Sequence, residues 1–105
     1  MDQMTLELVE VTEEAIERAR AHAHAAWLLE AEFVIKMLAA TGRAFTTDDA
    51  WFRLDKSGHT THEPRALGAV MRDFVRGGQI VHTGEYWPSE RRECHRRPVA
   101  VWIGR

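Results

Sequence analysis

The run from Thr12 to Thr41 contains neither glycine nor proline, and Gly42 follows it directly. Nothing in that run breaks a helix, so the fold must house a helical segment of about 29 residues, or ~43 Å at 1.5 Å per residue. That is long for a chain of 12.1 kDa. Thr12 suits the N-cap, with Glu13 and Glu14 in the first turn and Val11 and Ile16 placed as a hydrophobic staple. Ile16, Ala19, Ala23 and Trp27 form one narrow apolar stripe, and Val34, Met37, Leu38 and Thr41 form another. The two stripes are offset across Leu28–Glu30, which predicts either one helix bent near Glu30 or two helices meeting there. The second half reads as embedded in the domain. The first half, rich in alanine and carrying the pairs Glu14–Arg18 and Glu17–Arg20, reads as projecting. A projecting apolar stripe implies a partner, most simply a second copy in a homodimer. Ahead of it, residues 5–11 (TLELVEV) alternate as a strand does.

Beyond Gly42 the chain is punctuated. Thr46 or Thr47 caps a second helix that has Asp48 and Asp49 in its first turn, turns Trp51 and Leu54 inward and stops at Ser57-Gly58. A third helix follows over Pro64–Arg76, with proline in the first turn and Gly77-Gly78 as its stop. On a wheel at about 100° per residue, Leu67, Val70, Met71, Phe74 and Val75 share one face. Arg65, Gly68, Ala69, Arg72 and Arg76 share the opposite one. That second stripe is cationic at both ends and nearly bare in the middle, as a helix lying on the floor of a DNA groove must be. A surface helix kept soluble by its arginines has the same sequence. Gln79–His82 then reads as a short strand, residues 83–98 as a loop or irregular wing, and Val99–Ile103 as a last strand.

The charge is uneven behind a net of −2: residues 1–52 carry −6 and residues 53–105 carry +4. An acidic half joined to a basic half is compatible with one face meeting nucleic acid. Two observations pull the other way. Twelve of the fourteen basic residues are arginines, as a GC-rich genome alone would produce, and the pI of 6.3 is low for a DNA-binding domain. Cys94 is the only cysteine, so no internal disulfide forms and a reducing cytoplasm is the natural setting. The longest apolar run, Ala25–Leu29, is far too short to span a membrane, and MDQMTLEL lacks the basic and apolar regions of a signal peptide.

His59, His62, His82, Cys94 and His95 raise the question of zinc. A zinc-protease motif needs its glutamate directly after the first histidine on a helix, whereas Glu63 follows the second and precedes Pro64. Adjacent Cys94-His95 also suits tetrahedral chelation poorly. His22 and His24 fall on different helix faces. No phosphate-cradling glycine loop is present, and nothing beside Cys94 supplies an oxyanion hole. No metal, cofactor or enzymatic activity is expected. Trp51 and Trp102 occupy core-like positions, while Tyr86-Trp87 is placed to contact a ligand or to brace the wing.

Three helices followed by a hairpin with a basic tip is the order of a winged helix-turn-helix. The segment Phe45–Trp102, through Glu63-Pro64-Arg65-Ala66, Gly68-Ala69, Thr83-Gly84-Glu85-Tyr86 and Arg97-Pro98-Val99, resembles small winged helix-turn-helix modules of actinobacterial phages. The resemblance covers somewhat more than half the chain. Joined to the N-terminal strand and helix read from the residues, it gives a mostly helical α+β winged-helix domain over residues 1–105, with 1–30 as the N-terminal extension and 31–105 as the winged-helix core. It also implies a regulatory, non-enzymatic protein of the bacterial host cytoplasm that binds double-stranded DNA. Arg65, Gly68, Ala69, Arg72 and Arg76 would face the major groove, and Arg91, Arg92, Arg96 and Arg97 the phosphates or minor groove. The alternative is a protein-interaction module that captures a host or phage protein, through the acidic helix or the Tyr86–Trp87 rim. The turn of about eight residues between the second and third helices departs from the usual three to four.

Overall fold

A computed structural model describes residues 3–105, with side chains from Glu13 onward. It is a mixed α+β fold: α1 (Gln3–Ala40), α2 (Thr47–Ser57), α3 (Ala66–Arg76), β1 (Ile80–Pro88), a 3-10 turn (Arg92–Cys94) and β2 (Pro98–Gly104). The expected N-terminal strand is absent, because residues 5–11 lie within α1. Alternation over seven residues is also compatible with a helix, and no breaker separates that segment from the run that follows. Thr12 is therefore interior rather than a cap, and the Val11–Ile16 staple rests on a side chain outside the described ones. α1 passes through Glu30 as one helix.

Its 38 residues correspond to roughly 57 Å, close to the 62 Å long dimension of the molecule. The radius of gyration is 18.1 Å, well above the roughly 13 Å of a compact chain of this length. Only the C-terminal part of α1 explains the packed body. Trp27, Ala31, Val34, Ile35 and Leu38 are buried, at helical spacing, against Ala50 and Leu54 of α2 and Leu67, Val70, Met71 and Phe74 of α3. Residues 13–22 are exposed throughout. The projecting first half is thus observed, but Trp27 does not belong to it. Trp27 is 1% exposed, with its ring 5.7 Å from that of Trp51, so it closes the core. Met37 and Thr41, expected inside, face solvent, and Ile35 takes the inward position instead.

α2 starts as expected. Thr46 accepts from the Asp48 N–H at 3.1 Å, and Asp49 accepts from the Thr46 N–H at 2.9 Å, a capping box. Gly58 ends the helix at φ 82°. The long segment before α3 is fastened to α1, since His24 Nδ1 and Thr61 Oγ1 share a hydrogen bond of 2.7 Å and the His62 ring lies 6.0 Å from that of His24. α3 begins at Ala66 rather than Pro64. The preceding turn holds the Ala66 N–H on the Glu63 carbonyl and the Leu67 N–H on the Pro64 carbonyl.

β1 and β2 pair antiparallel, and β1 runs to Pro88 rather than ending at His82. The residues read as loop include a bulge between His82 and Tyr86 whose N–H groups find side chains: Gly84 donates to His82 Nδ1 and Glu85 to Thr83 Oγ1. Phe45 adds a bridge on the far side of β2, exchanging both backbone hydrogen bonds with Trp102 at 2.8 Å. The end of β2 lies so close to α1 that a Cβ on Gly104 would sit 2.6 Å from the Ala39 carbonyl carbon. Among the described residues, no helix is long and apolar enough to cross a membrane.

Candidate functional site

α3 turns Leu67, Val70, Met71 and Phe74 into the core, which fixes its opposite face outward. Val75, expected on the core side, is 39% exposed and lies at the boundary. Arg65, Gly68, Ala69, Arg72 and Arg76 are all exposed together on the outward face. No atom lies within 4 Å of where a Gly68 side chain would begin, so the middle of the stripe is open. None of the three arginines forms an ion pair among the described residues, whereas Arg18, Arg20 and Arg91 each do.

The basic loop after β1 is braced from below. Ser89, 1% exposed, donates its hydroxyl to both Asp48 oxygens at 2.8 and 3.0 Å, and the Glu90 N–H donates to Asp48 Oδ2 at 2.7 Å. The Ser89 N–H in turn donates to the Arg97 carbonyl at 2.8 Å. One carboxylate at the start of α2 therefore ties down the base of the loop. His95 and Arg96 then take consecutive left-handed conformations, φ 46° and 60°, which turn the chain back into β2. Arg92, Arg96 and Arg97 are exposed and make no ion pair among the described residues.

Arg91 is placed differently from the other arginines of the loop. Its guanidinium lies 4.7 Å from the centre of the Trp51 ring and its Nε 3.7 Å from Glu93, so it packs the loop against α2 instead of standing free. Sequence reading missed this contact and the Asp48–Ser89 clamp, because both join residues some 40 positions apart and neither has a local signal. It also missed an apolar groove beside α3. Gly68, Met71, Arg72 and Val75 form one wall, and Val99, Ala100 and Trp102 of β2 the other. Arg72 thus stands where the helix meets the strand. The backbone of Trp102 faces Phe45, and alternate residues of a strand face the same way, so the N–H and C=O of Ala100 also point away from β1.

Trp51 and Trp102 are both partly buried against the core. Tyr86 and Trp87 are exposed by 63% and 40%. The histidines and cysteine considered for metal are scattered. His59 is 4.0 Å from Glu30, His82 lies edge-on to Trp102 and tilted against Tyr86, and Cys94 sits in the 3-10 turn. No group of three ligating side chains converges among the described residues. Comparisons of the chain with protein-family models, with curated proteins and with solved structures returned no match.

Proposed function

We propose that the protein is a non-enzymatic DNA-binding protein of winged helix-turn-helix type, with α3 in the major groove and the arginine loop on the adjoining backbone. The observation that carries this reading is the outward face of α3. Three arginines without carboxylate partners flank an open floor of Gly68 and Ala69. Phosphate binding needs cations that no internal acid has neutralised, and base readout needs a helix that sits close to the groove. In this reading Phe45, β2 and β1 form the small sheet behind a wing, and Arg92, Arg96 and Arg97 position the protein on the duplex. Arg91 is left out of the contact set.

Gly68→Leu tests the reading without confounding it with stability. Leucine is a better helix former than glycine, and no atom lies within 4 Å of where its Cβ would stand. The variant should melt no lower than wild type. Its affinity for mixed-sequence duplex DNA, measured by fluorescence anisotropy, should fall by at least tenfold, because the added side chain lifts α3 off the groove floor. Arg72→Ala should narrow the gap between the best and worst sequences, since one bidentate arginine–guanine pair contributes about 1–3 kcal/mol of discrimination. A Gly68→Leu protein that binds DNA as wild type does would remove α3 from the interface.

A second reading is favoured by the groove between α3 and β2. Its walls are mostly apolar, and the outward backbone of Ala100 offers a strand edge. An extended segment of a host or phage protein fits such an edge, with alternate side chains in the groove. Association of that kind depends weakly on salt, which separates it from the first reading.

A further inference from the structure

α1 presents a second apolar stripe, about 145° around the helix from the one that enters the core, at about 100° per residue. Ala15, Ala19, His22, Ala26, Leu29 and Phe33 recur at alternating spacings of four and three, the a and d positions of a heptad. All are exposed except the half-buried Ala26, and Leu29 and Phe33 are 69% and 56% exposed. Such spacing buries a helix against another helix, and among the described residues nothing covers it.

We propose that a second copy of the chain packs antiparallel along this stripe, in a register centred near residue 24. The residues themselves select the arrangement. In that register Ala15 meets Phe33 of the second copy, Ala19 meets Leu29, and His22 meets Ala26, each layer then repeating by symmetry. Every layer joins a large side chain to an alanine, so two helices approach closely with no void. A parallel pair stacks Phe33 on Phe33 and Ala15 on Ala15, leaving alternate layers overfilled and empty. Charge agrees with shape. Arg18 on one flank comes beside Glu32 of the second copy, and Glu14 on the same flank beside Lys36. Glu32 and Lys36 have no ion pair among the described residues. Leu29 and Phe33 also border a groove whose other wall is Val70, Asp73 and Phe74 of α3, which gives the incoming helix a second surface. The inference does not rest on the DNA reading.

Sedimentation equilibrium on the full chain should give twice the 12.1 kDa chain mass at micromolar concentration. Phe33→Glu should give a monomer with an unchanged far-UV spectrum, since Phe33 is not part of the core. Glu32→Arg should raise the dimer dissociation constant by about tenfold or more, as like charges then oppose each other at both ends of that flank. Arg18→Glu combined with Glu32→Arg should bring it back to within about threefold of wild type. Orientation is read by cysteine pairing in a Cys94→Ser background. Ala25→Cys, next to the symmetry axis, should cross-link on mild oxidation, and Ala19→Cys should not. A wild-type chain that stays monomeric at millimolar concentration overturns the proposal. So does a charge-swapped double variant that fails to recover, or an Ala19→Cys chain that cross-links readily.

Discussion

Trp27→Asp is expected to leave the chain largely unfolded at room temperature. Trp27 is 1% exposed, and its ring joins α1 to α2 through Trp51 at 5.7 Å and stacks on His24 at 6.2 Å. Removing a buried tryptophan side chain costs about 3–5 kcal/mol. Placing a carboxylate in a space lined by the apolar core adds several more, because burial penalises the charge. The combined loss is comparable with the roughly 5–15 kcal/mol that holds an ordinary domain together. Ile16→Asp is the matched control: Ile16 is 46% exposed on the projecting half and its replacement should barely move the melt. Circular dichroism melts of the two variants decide the point. A Trp27→Asp protein that melts within a few degrees of wild type would return Trp27 to the projecting stripe with Ile16.

Gly104→Ala should be the most damaging addition of a single methyl group. The new Cβ would run into the Ala39 carbonyl, and its nearest contacts are backbone atoms that cannot rotate aside. The end of β2 and the last turn of α1 must then separate, although the Arg105 N–H holds that end of the strand on the Gln79 carbonyl at 3.0 Å. Overpacking of this kind typically costs about 1–3 kcal/mol, and a backbone obstacle places it at the upper end. At about 4–8 °C per kcal/mol for a domain of this size, a fall in Tm of roughly 10–20 °C is expected. Calorimetry giving a shift below about 3 °C would mean that β2 does not meet α1 at Gly104.

The parts of the fold that one element determines by itself were readable from the chain. The α3 stripe needs only its own period, and the start of α2 needs only Thr46, Asp48 and Asp49, all within four residues. The outward face of α3 follows from its inward face, which is why Arg65, Gly68, Ala69, Arg72 and Arg76 fall together as expected. The errors share a different cause. Trp27 lies on the same helical stripe as Ile16, and only the return of the segment carrying Thr61 and His62, with α2 beneath, divides that stripe into buried and exposed halves. Gly84 and Pro88 signal a loop, so the sequence alone ends β1 at His82. In the structure Gly84 lies within the bulge between His82 and Tyr86, which is held by side-chain hydrogen bonds, and the strand continues to Pro88. Arg91 was grouped with its neighbours in the loop, but Trp51, distant in sequence, captures it.

The heptad on the exposed side of α1 is hard to see in the sequence for a compositional reason. Half of its members are alanines, which draw no attention until the core-facing residues of the same helix are known. Gly104 is similar, since a glycine near the end of a strand gives no sign of the backbone it must touch.

The central claim, that the arginine face meets duplex DNA, is tested most directly by the salt dependence of binding. If a subunit makes about four arginine–phosphate contacts, binding releases about four condensed counterions. A plot of log affinity against log salt should then be linear with a slope near −3.6, at about −0.9 per contact. Arg96→Ala should flatten it by about one unit while weakening all sequences alike, and Arg91→Ala should leave it unchanged, because Arg91 is held on Trp51. No duplex binding by wild type at low salt, or a slope near zero, would contradict the claim and assign the groove between α3 and β2 to a protein segment instead.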